Sequence, residues 1–185
     1  YLSVRHTVGL IDPIRTSDIA SESALGDGLP QSLEDYVGTQ GVCYVKIKIG
    51  GDAQSDFERL SEIAALLDEQ CQDAYRVTLD GNEQYGDMDA LIVLLERVER
   101  ELPRMHDSLL YIEQPLDRSV ALDRALAPSI QSVSERKPML IDESDEELNT
   151  FRNAVDLGYR GVSSKACKGM IKALSNAALV QHLNG

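Results

Sequence analysis

The stretch Val42-Cys43-Tyr44-Val45-Lys46-Ile47-Lys48-Ile49-Gly50-Gly51 decides the fold. It is a short run of apolar, largely β-branched residues that ends in two glycines, which is typical of a β-strand followed by a turn. Its apolar positions are dense, as in strands that are covered on both faces. Five further runs of this kind predict five more strands, at residues 6–11, 75–79, 109–112, 139–141 and 161–163.

The segments between these runs have the periodicity of amphipathic helices. Apolar residues recur at helical spacing in segments 56–71, 87–102, 144–158 and 169–183, and a less regular helix is predicted over 117–137, interrupted at Pro128. Asp87 is a predicted N-cap, Ser144 with Glu147 fits a capping box, and Gly158 is placed to end a helix. Alternating strands and helices predict right-handed crossovers and a parallel sheet.

Two α/β architectures have this alternation, an open doubly wound sheet and a (β/α) TIM-type barrel. The glycine-rich dinucleotide loop expected after the first strand of a nucleotide-binding sheet is missing, because Ile11-Asp12-Pro13-Ile14 follows instead. Six βα units of about 30 residues fill the 185 residues, whereas a full barrel of about 250 residues needs two more. The sequence therefore predicts one domain over residues 1–185, an incomplete barrel of about six βα units.

Composition excludes several classes of function. The net charge of −13 argues against nucleic-acid binding, which requires a basic face. No apolar run approaches the roughly 18 residues of a membrane span, and the first residues do not resemble a signal peptide. Three cysteines are too few for a disulfide framework and favour a reducing compartment, so we expect a cytoplasmic protein. The oligomeric state stays open, and a homo-oligomer is compatible with the sequence.

Charged residues stand where five of the predicted strands end. They are Lys48, Asp80, Glu113, Asp142 and Lys165, at intervals of 32, 33, 29 and 23 residues, each close to one βα unit. In a barrel the carboxyl ends of the strands form one rim, where the chemistry of such folds is concentrated. These side chains are therefore expected to converge although they are far apart along the chain.

Three of the five are carboxylates on adjacent predicted strands, namely Asp80, Glu113 and Asp142. Carboxylate oxygens are hard ligands, and Mg²⁺ binds few protein groups and keeps positions open for water or substrate. The pattern predicts a Mg²⁺ site that stabilises the enolate formed when a proton beside a carboxylate is removed.

Lysines flank these carboxylates on the second and sixth predicted strands. Lys46 and Lys48 are two residues apart, so both are expected to point into the barrel, where the neighbouring ammonium and the metal would disfavour the charged form of Lys48 and lower its pKa. A lysine perturbed in this way serves as a general base.

Taken together, the motifs resemble the catalytic barrel of the enolase superfamily, in the branch of muconate lactonizing enzyme, dipeptide epimerase and o-succinylbenzoate synthase. The resemblance runs from about residue 42 to 175. The matching motifs are Lys46-Ile47-Lys48, Asp80-Gly81-Asn82, Glu113-Gln114-Pro115, Asp142-Glu143-Ser144 and Lys165. It implies a (β/α)7β barrel, whose capping domain and last strands are expected to lie outside residues 1–185.

The resemblance also implies roles for these residues. Asp80, Glu113 and Asp142 would bind Mg²⁺, and Lys48 and Lys165 would act as acid and base on a small carboxylate substrate. Lys46 would tune Lys48 and contact the substrate carboxylate, while Asn82 and Glu143 would support the metal ligands, and Lys168 is an alternative to Lys165. The implied outcomes are racemisation or epimerisation, cycloisomerisation, and dehydration.

Other interpretations compete with this one. Lys165 alone could form a Schiff base in an aldolase-type barrel, which leaves the aligned carboxylates unexplained. The chain could also be a non-catalytic relative. Taken singly, Asp80 could be a turn residue, Ser144 could only begin a helix, and Lys46 and Lys48 could lie on a solvated edge strand.

Overall fold

The computed structural model describes residues 4–71 and 74–185, and it contains all six predicted strands. They form one parallel sheet in the order β1 to β6, with bounds β1 His6–Val8, β2 Tyr44–Lys48, β3 Arg76–Asp80, β4 Leu109–Glu113, β5 Met139–Ile141 and β6 Gly161–Val162. A doubly wound sheet reverses its strand order at a switch point, whereas this order runs straight through, as in a barrel. The predicted α/β fold is confirmed, and over the described residues the sheet stays open, with β1 and β6 at its edges.

Helices occupy the connections between the strands. Over the described residues their bounds are α1 Leu33–Gln40, α2 Ala53–Gln70, α3 Met88–Glu101, α4 Pro103–Ser108, α5 Ala127–Arg136, α6 Thr150–Leu157 and α7 Met170–Asn184. The predicted N-cap Asp87 is confirmed, because its side chain accepts a hydrogen bond of 2.9 Å from the backbone N–H of Ala90. Gly158 ends α6 with φ +116°, as predicted for a C-terminal glycine. None of the described helices combines the length and the apolar character needed to cross a membrane.

The core lies between the sheet and these helices. In β2, Val45 and Ile47 are fully buried and face the helices, while Lys46 and Lys48 alternate with them and face the concave side of the sheet. The same alternation on β3 places Asp80 on the concave side, since it pairs with Lys48 in register. The apolar residues thus fix which face of each strand carries the charged groups.

Two helix starts differ from the predictions. The predicted capping box at Ser144 is wrong, because α6 begins only at Thr150 and the Ser144 hydroxyl instead accepts a hydrogen bond of 2.6 Å from Gln114 Nε2. Pro128 does not interrupt a helix, because it lies in the first turn of α5, where a missing N–H removes no intrahelical bond. The role of Ser144 is thus set by a partner 30 residues away, whereas the position of Pro128 follows the local preference of proline for the first helical turn.

The helix α7 is confirmed, but its buried face is not the apolar one. Ile171 and Leu174 are 78% and 65% exposed, whereas Lys172 and Asn176 are buried. Lys172 Nζ donates to the carbonyl oxygen of Asp145 over 2.5 Å, and Asn176 Nδ2 donates to Asp145 Oδ2 over 3.1 Å. Pairing with a buried carboxylate therefore sets the rotation of this helix.

Candidate active site

Three carboxylates lie at the carboxyl ends of three consecutive strands. Asp80 and Glu113 are the last residues of β3 and β4 and are partners in the β3–β4 register, while Asp142 follows β5 directly. Each of the three is only 1% exposed. Buried charges require partners, so the groups around them define the site.

Two lysines of β2 contact the first two carboxylates. Lys46 Nζ lies 2.6 Å from Asp80 Oδ2 and 2.8 Å from Glu113 Oε2, and Lys48 Nζ lies 2.6 Å from Asp80 Oδ2. Both side chains therefore point to the concave side, as their spacing predicts. Burial by itself lowers the pKa of Lys46, but its bonds to Asp80 and Glu113 outweigh burial and hold that pKa above the ordinary value. The edge-strand interpretation is wrong, because β2 pairs with both β1 and β3.

Two lysines that follow β6 contact the third carboxylate. Lys165 forms an ion pair with Asp142, and Lys168 Nζ lies 2.7 Å from Asp142 Oδ1. Lys168 also donates to the carbonyl oxygens of Asp142 (2.5 Å) and Ser163 (3.2 Å), so its ammonium is held by the main chain. The side chain of Lys165 is 43% exposed. Burial raises the pKa of Asp142, but the two ammonium groups outweigh burial and hold that pKa below its ordinary value.

Asn82 and Glu143 join the loops on either side of Glu113. Asn82 Nδ2 donates to Glu143 Oε1 over 2.9 Å, and Lys48 donates to Asn82 Oδ1. Glu113 Oε1 and Glu143 Oε2 are buried without a hydrogen-bond partner among the described residues. The structure thus brings all nine predicted site residues to one end of the sheet, with Lys48 and Lys165 at opposite ends of the row of carboxylates.

The turn after β3 packs tightly against the turn after β4. A Cβ placed on Gly81 would lie 2.5 Å from the Cα of Pro115, so only glycine fits without movement of the backbone. Gly81 N donates to Glu113 O over 2.9 Å. The Asp80-Gly81-Asn82 turn therefore fixes the spacing between Asp80 and Glu113.

Sequence reasoning missed Asp56 and Tyr85, which hold the neighbouring loops. Asp56 is 5% exposed and accepts from the N–H groups of Gly50 (2.7 Å) and Gly51 (3.0 Å) and from the Tyr85 hydroxyl (2.6 Å). Its position in the first turn of α2 suggested only a favourable interaction with the helix N-terminus. The available signal was its closeness to Gly50-Gly51, whose free N–H groups need an acceptor.

A cavity of about 350 Å³ opens beside Lys48. It is lined by Leu10, Lys48, Ile49, Asn82 and Gln84. Four of the six lysines of the chain lie at this end of the sheet, although the whole chain carries a net charge of −13. All four ammonium groups form ion pairs with Asp80, Glu113 or Asp142, so they offset the charge of these buried carboxylates.

The site contains the type of ligand that a divalent cation requires. Carboxylates with unpartnered oxygens, at Glu113 and Glu143, are the ligands that Mg²⁺ prefers. Across residues 4–71 and 74–185, however, no three Asp, Glu, His or Cys side chains are already grouped closely enough to hold an ion. The ammonium of Lys46 lies between Asp80 and Glu113.

Comparison with solved structures finds a similar fold in several known proteins. A mandelate racemase/muconate lactonizing enzyme from Roseiflexus sp. is 20% identical and covers 99% of this chain and 46% of its own, with a TM-score of 0.70. The muconate lactonizing enzyme from Pseudomonas putida is 20% identical, with 98% and 44% covered and a TM-score of 0.65. A mandelate racemase/muconate lactonizing protein from Herpetosiphon aurantiacus is 22% identical, with 82% and 39% covered and a TM-score of 0.66.

These likenesses confirm the fold that the sequence motifs predict. The chain spans less than half the length of each of these structures. No protein-family profile and no curated protein matches the sequence. At these identities the comparison establishes a shared α/β architecture, and the activity has to be argued from the site.

Proposed function

We propose that this chain is part of the catalytic barrel of an enolase-superfamily enzyme, which removes the proton beside the carboxylate group of a small substrate. One observation carries the proposal. Three buried carboxylates stand at the ends of β3, β4 and β5, with lysines at both ends of the row. A structural ion-pair network would not need its charged groups in the register of three consecutive strand ends.

Asp80, Glu113 and Asp142 are the residues that would hold Mg²⁺. Glu143 would add a carboxylate oxygen that is buried and unpartnered among the described residues, and Asn82 would hold Glu143 in place. A bound Mg²⁺ supplies positive charge that lowers the energy of the enolate left by proton removal.

Lys48 and Lys165 are the proposed acid and base. They contact the two ends of the row of carboxylates, so they can approach a substrate carbon from opposite sides. Lys168 is not the better candidate, because its ammonium already donates to two main-chain carbonyl oxygens. Lys46 would contact the substrate carboxylate and tune Lys48.

The outcome of the reaction depends on the step after proton removal. Return of a proton to the opposite side of the carbon racemises or epimerises the substrate. Loss of a group from the neighbouring carbon completes a dehydration, and in cycloisomerisation the same enolate is reached by ring closure onto a double bond. A cytoplasmic location and a homo-oligomer remain predictions beside this proposal.

Solvent exchange tests the proposal without a known product. The protein is incubated in deuterium oxide with Mg²⁺ and a panel of dipeptides, aryl-succinates and sugar acids, and deuterium at the α-carbon is measured by mass spectrometry. We expect exchange with at least one substrate, and we expect it to stop with EDTA or with Lys48→Ala. Lys137→Ala is the matched control, because Lys137 precedes β5 at the opposite end of the sheet.

The proposal fails if exchange persists under EDTA, or if Lys48→Ala and Lys137→Ala exchange equally fast. Borohydride trapping of a carbonyl substrate on Lys165 would favour the Schiff-base alternative instead.

A further inference from the structure

The side-chain amide of Gln114 makes four hydrogen bonds next to the carboxylates of the site. It follows Glu113 at the end of β4 and is 1% exposed. Its Oε1 accepts from the N–H groups of Asp142 (2.8 Å) and Ser144 (3.1 Å). Its Nε2 donates to the carbonyl oxygen of Leu116 (2.8 Å) and to the Ser144 hydroxyl (2.6 Å). An amide has two acceptor sites and two donors, so none is left over.

These bonds lie at the point where the chain leaves β5. That strand is only three residues long, and Asp142 comes directly after it. The backbone N–H of Gln114 donates to the carbonyl oxygen of Leu140 over 2.8 Å. Gln114 therefore holds the chain at the end of β5 both before Asp142 and at Asp142.

The backbone of Gln114 is itself in an uncommon conformation. Its φ is +36°, a region that non-glycine residues seldom occupy and that the surrounding structure must stabilise. The same residue accepts from Glu83 N through its carbonyl oxygen, over 3.0 Å. One residue thus connects the loops that follow β3, β4 and β5.

The four hydrogen-bond partners at position 114 require a side chain with a primary amide. A carboxylate in its place would put an acceptor against the Leu116 carbonyl oxygen, and an apolar side chain would leave two buried N–H groups without partners. Neither replacement supplies both the acceptor oxygen and the donor N–H groups that these partners require.

We propose that Gln114 is a positioning residue, which fixes the main chain at Asp142 and so places the Asp142 carboxylate beside Glu113. This inference rests on the proposed function where it concerns a divalent cation. It adds a determinant of the site that touches neither substrate nor metal.

The test compares Gln114→Met with Gln181→Met, the same change at an exposed residue of α7. Met keeps the length of the side chain and cannot replace the amide hydrogen bonds. We expect the N–H groups of Asp142 and Ser144 to exchange with deuterium faster in Gln114→Met, while those of β2 keep their protection. Calorimetry with Mg²⁺ alone should show affinity weakened by about 10- to 100-fold, the range for residues that orient metal ligands.

A milder variant keeps the test decisive if Gln114→Met does not fold. Ser144→Ala removes one hydroxyl partner and leaves the two backbone contacts of Gln114 Oε1, so a smaller loss of Mg²⁺ affinity is expected. A purely structural role would lower the melting temperature and leave the affinity of the folded protein unchanged.

Two outcomes separate this inference from the proposed function. If the wild-type protein binds no Mg²⁺, the proposed function is overturned, and the exchange rates at Asp142 and Ser144 then decide the role of Gln114 by themselves. Unchanged exchange at these two groups overturns the inference whether or not the metal binds.

Discussion

Lys46 Nζ lies 2.8 Å from Glu113 Oε2, although the two residues are 67 positions apart and their strands are not neighbours in the sheet. The contact passes across the end of β3 on the concave side, where the same ammonium also meets Asp80. This single group therefore connects the ends of three strands.

Replacing Lys46 should destabilise the fold strongly. Lys46→Met leaves the Glu113 carboxylate buried without its ammonium partner, which costs about 3–5 kcal/mol of unfolding free energy. Arg136→Met is the control, because its ion pair with Glu99 is exposed and contributes less than about 1 kcal/mol. Urea denaturation measures both, and equal losses would contradict a special role for the buried pair.

Gly81→Ala should be costly because of the backbone of Pro115. The added methyl group meets a main-chain atom that cannot rotate away, and overpacking of this kind costs about 1–3 kcal/mol. Gly86→Ala, in the same β3–α3 loop, has open space at its Cβ and should change stability by less than about 1 kcal/mol. Denaturant midpoints of the two variants give the comparison, and a harmless Gly81→Ala would show that the two turns are not tightly packed.

Tyr85→Phe should weaken the loops held by Asp56. It removes only the hydroxyl that donates to a buried carboxylate over 2.6 Å, and such charged hydrogen bonds contribute about 1.5–3 kcal/mol. In the control Tyr159→Phe the lost bond runs to the carbonyl oxygen of Ala121, with an expected cost of about 0.5–1.5 kcal/mol. Thermal unfolding ranks the two variants, and the reverse order would argue that Asp56 is not the charged acceptor.

Glu83 should make a contribution to stability that depends on pH. Its bond to Arg118 holds the pKa of Glu83 below the ordinary value of 4.5. The unfolded chain therefore takes up the proton first as the pH falls, and the stabilisation present at neutral pH is lost as the pH falls through the lower, folded pKa.

The difference in melting temperature between wild type and Glu83→Gln should accordingly be largest near pH 7 and shrink below pH 4.5. Glu135→Gln, at an exposed position on α5, is the control and should change the melting temperature little. A difference for Glu83→Gln that grows in acid would reverse the sign and disprove the assignment.

Sequence patterns predicted the six strands and the rim residues because both depend on short-range order. The apolar alternation in β2 is enough to place Lys46 and Lys48 on one face, and regular βα lengths bring Asp80, Glu113 and Asp142 to the same end of the sheet. No long-range information enters either step.

The sequence predictions were wrong where the contacts of a side chain depend on a residue far away in the sequence. The Ser144 hydroxyl accepts a hydrogen bond from Gln114, 30 residues away. Lys172 donates to the carbonyl oxygen of Asp145, 27 residues away. The pairing of lysines with carboxylates was likewise invisible, since the sequence predicts that both meet at the rim but not that they neutralise each other there.

The straight strand order has a consequence for how the molecule forms. Over the residues that the structure describes, each strand pairs only with its neighbours in sequence, so every piece of the site can join a growing sheet as soon as its segment leaves the ribosome. Lys46 and Lys48 are in place before Asp80 is made, and Asp80 before Glu113. Asp80 and Glu113 therefore meet ammonium groups that are already synthesised, whereas Asp142 receives its partners, Lys165 and Lys168, only later.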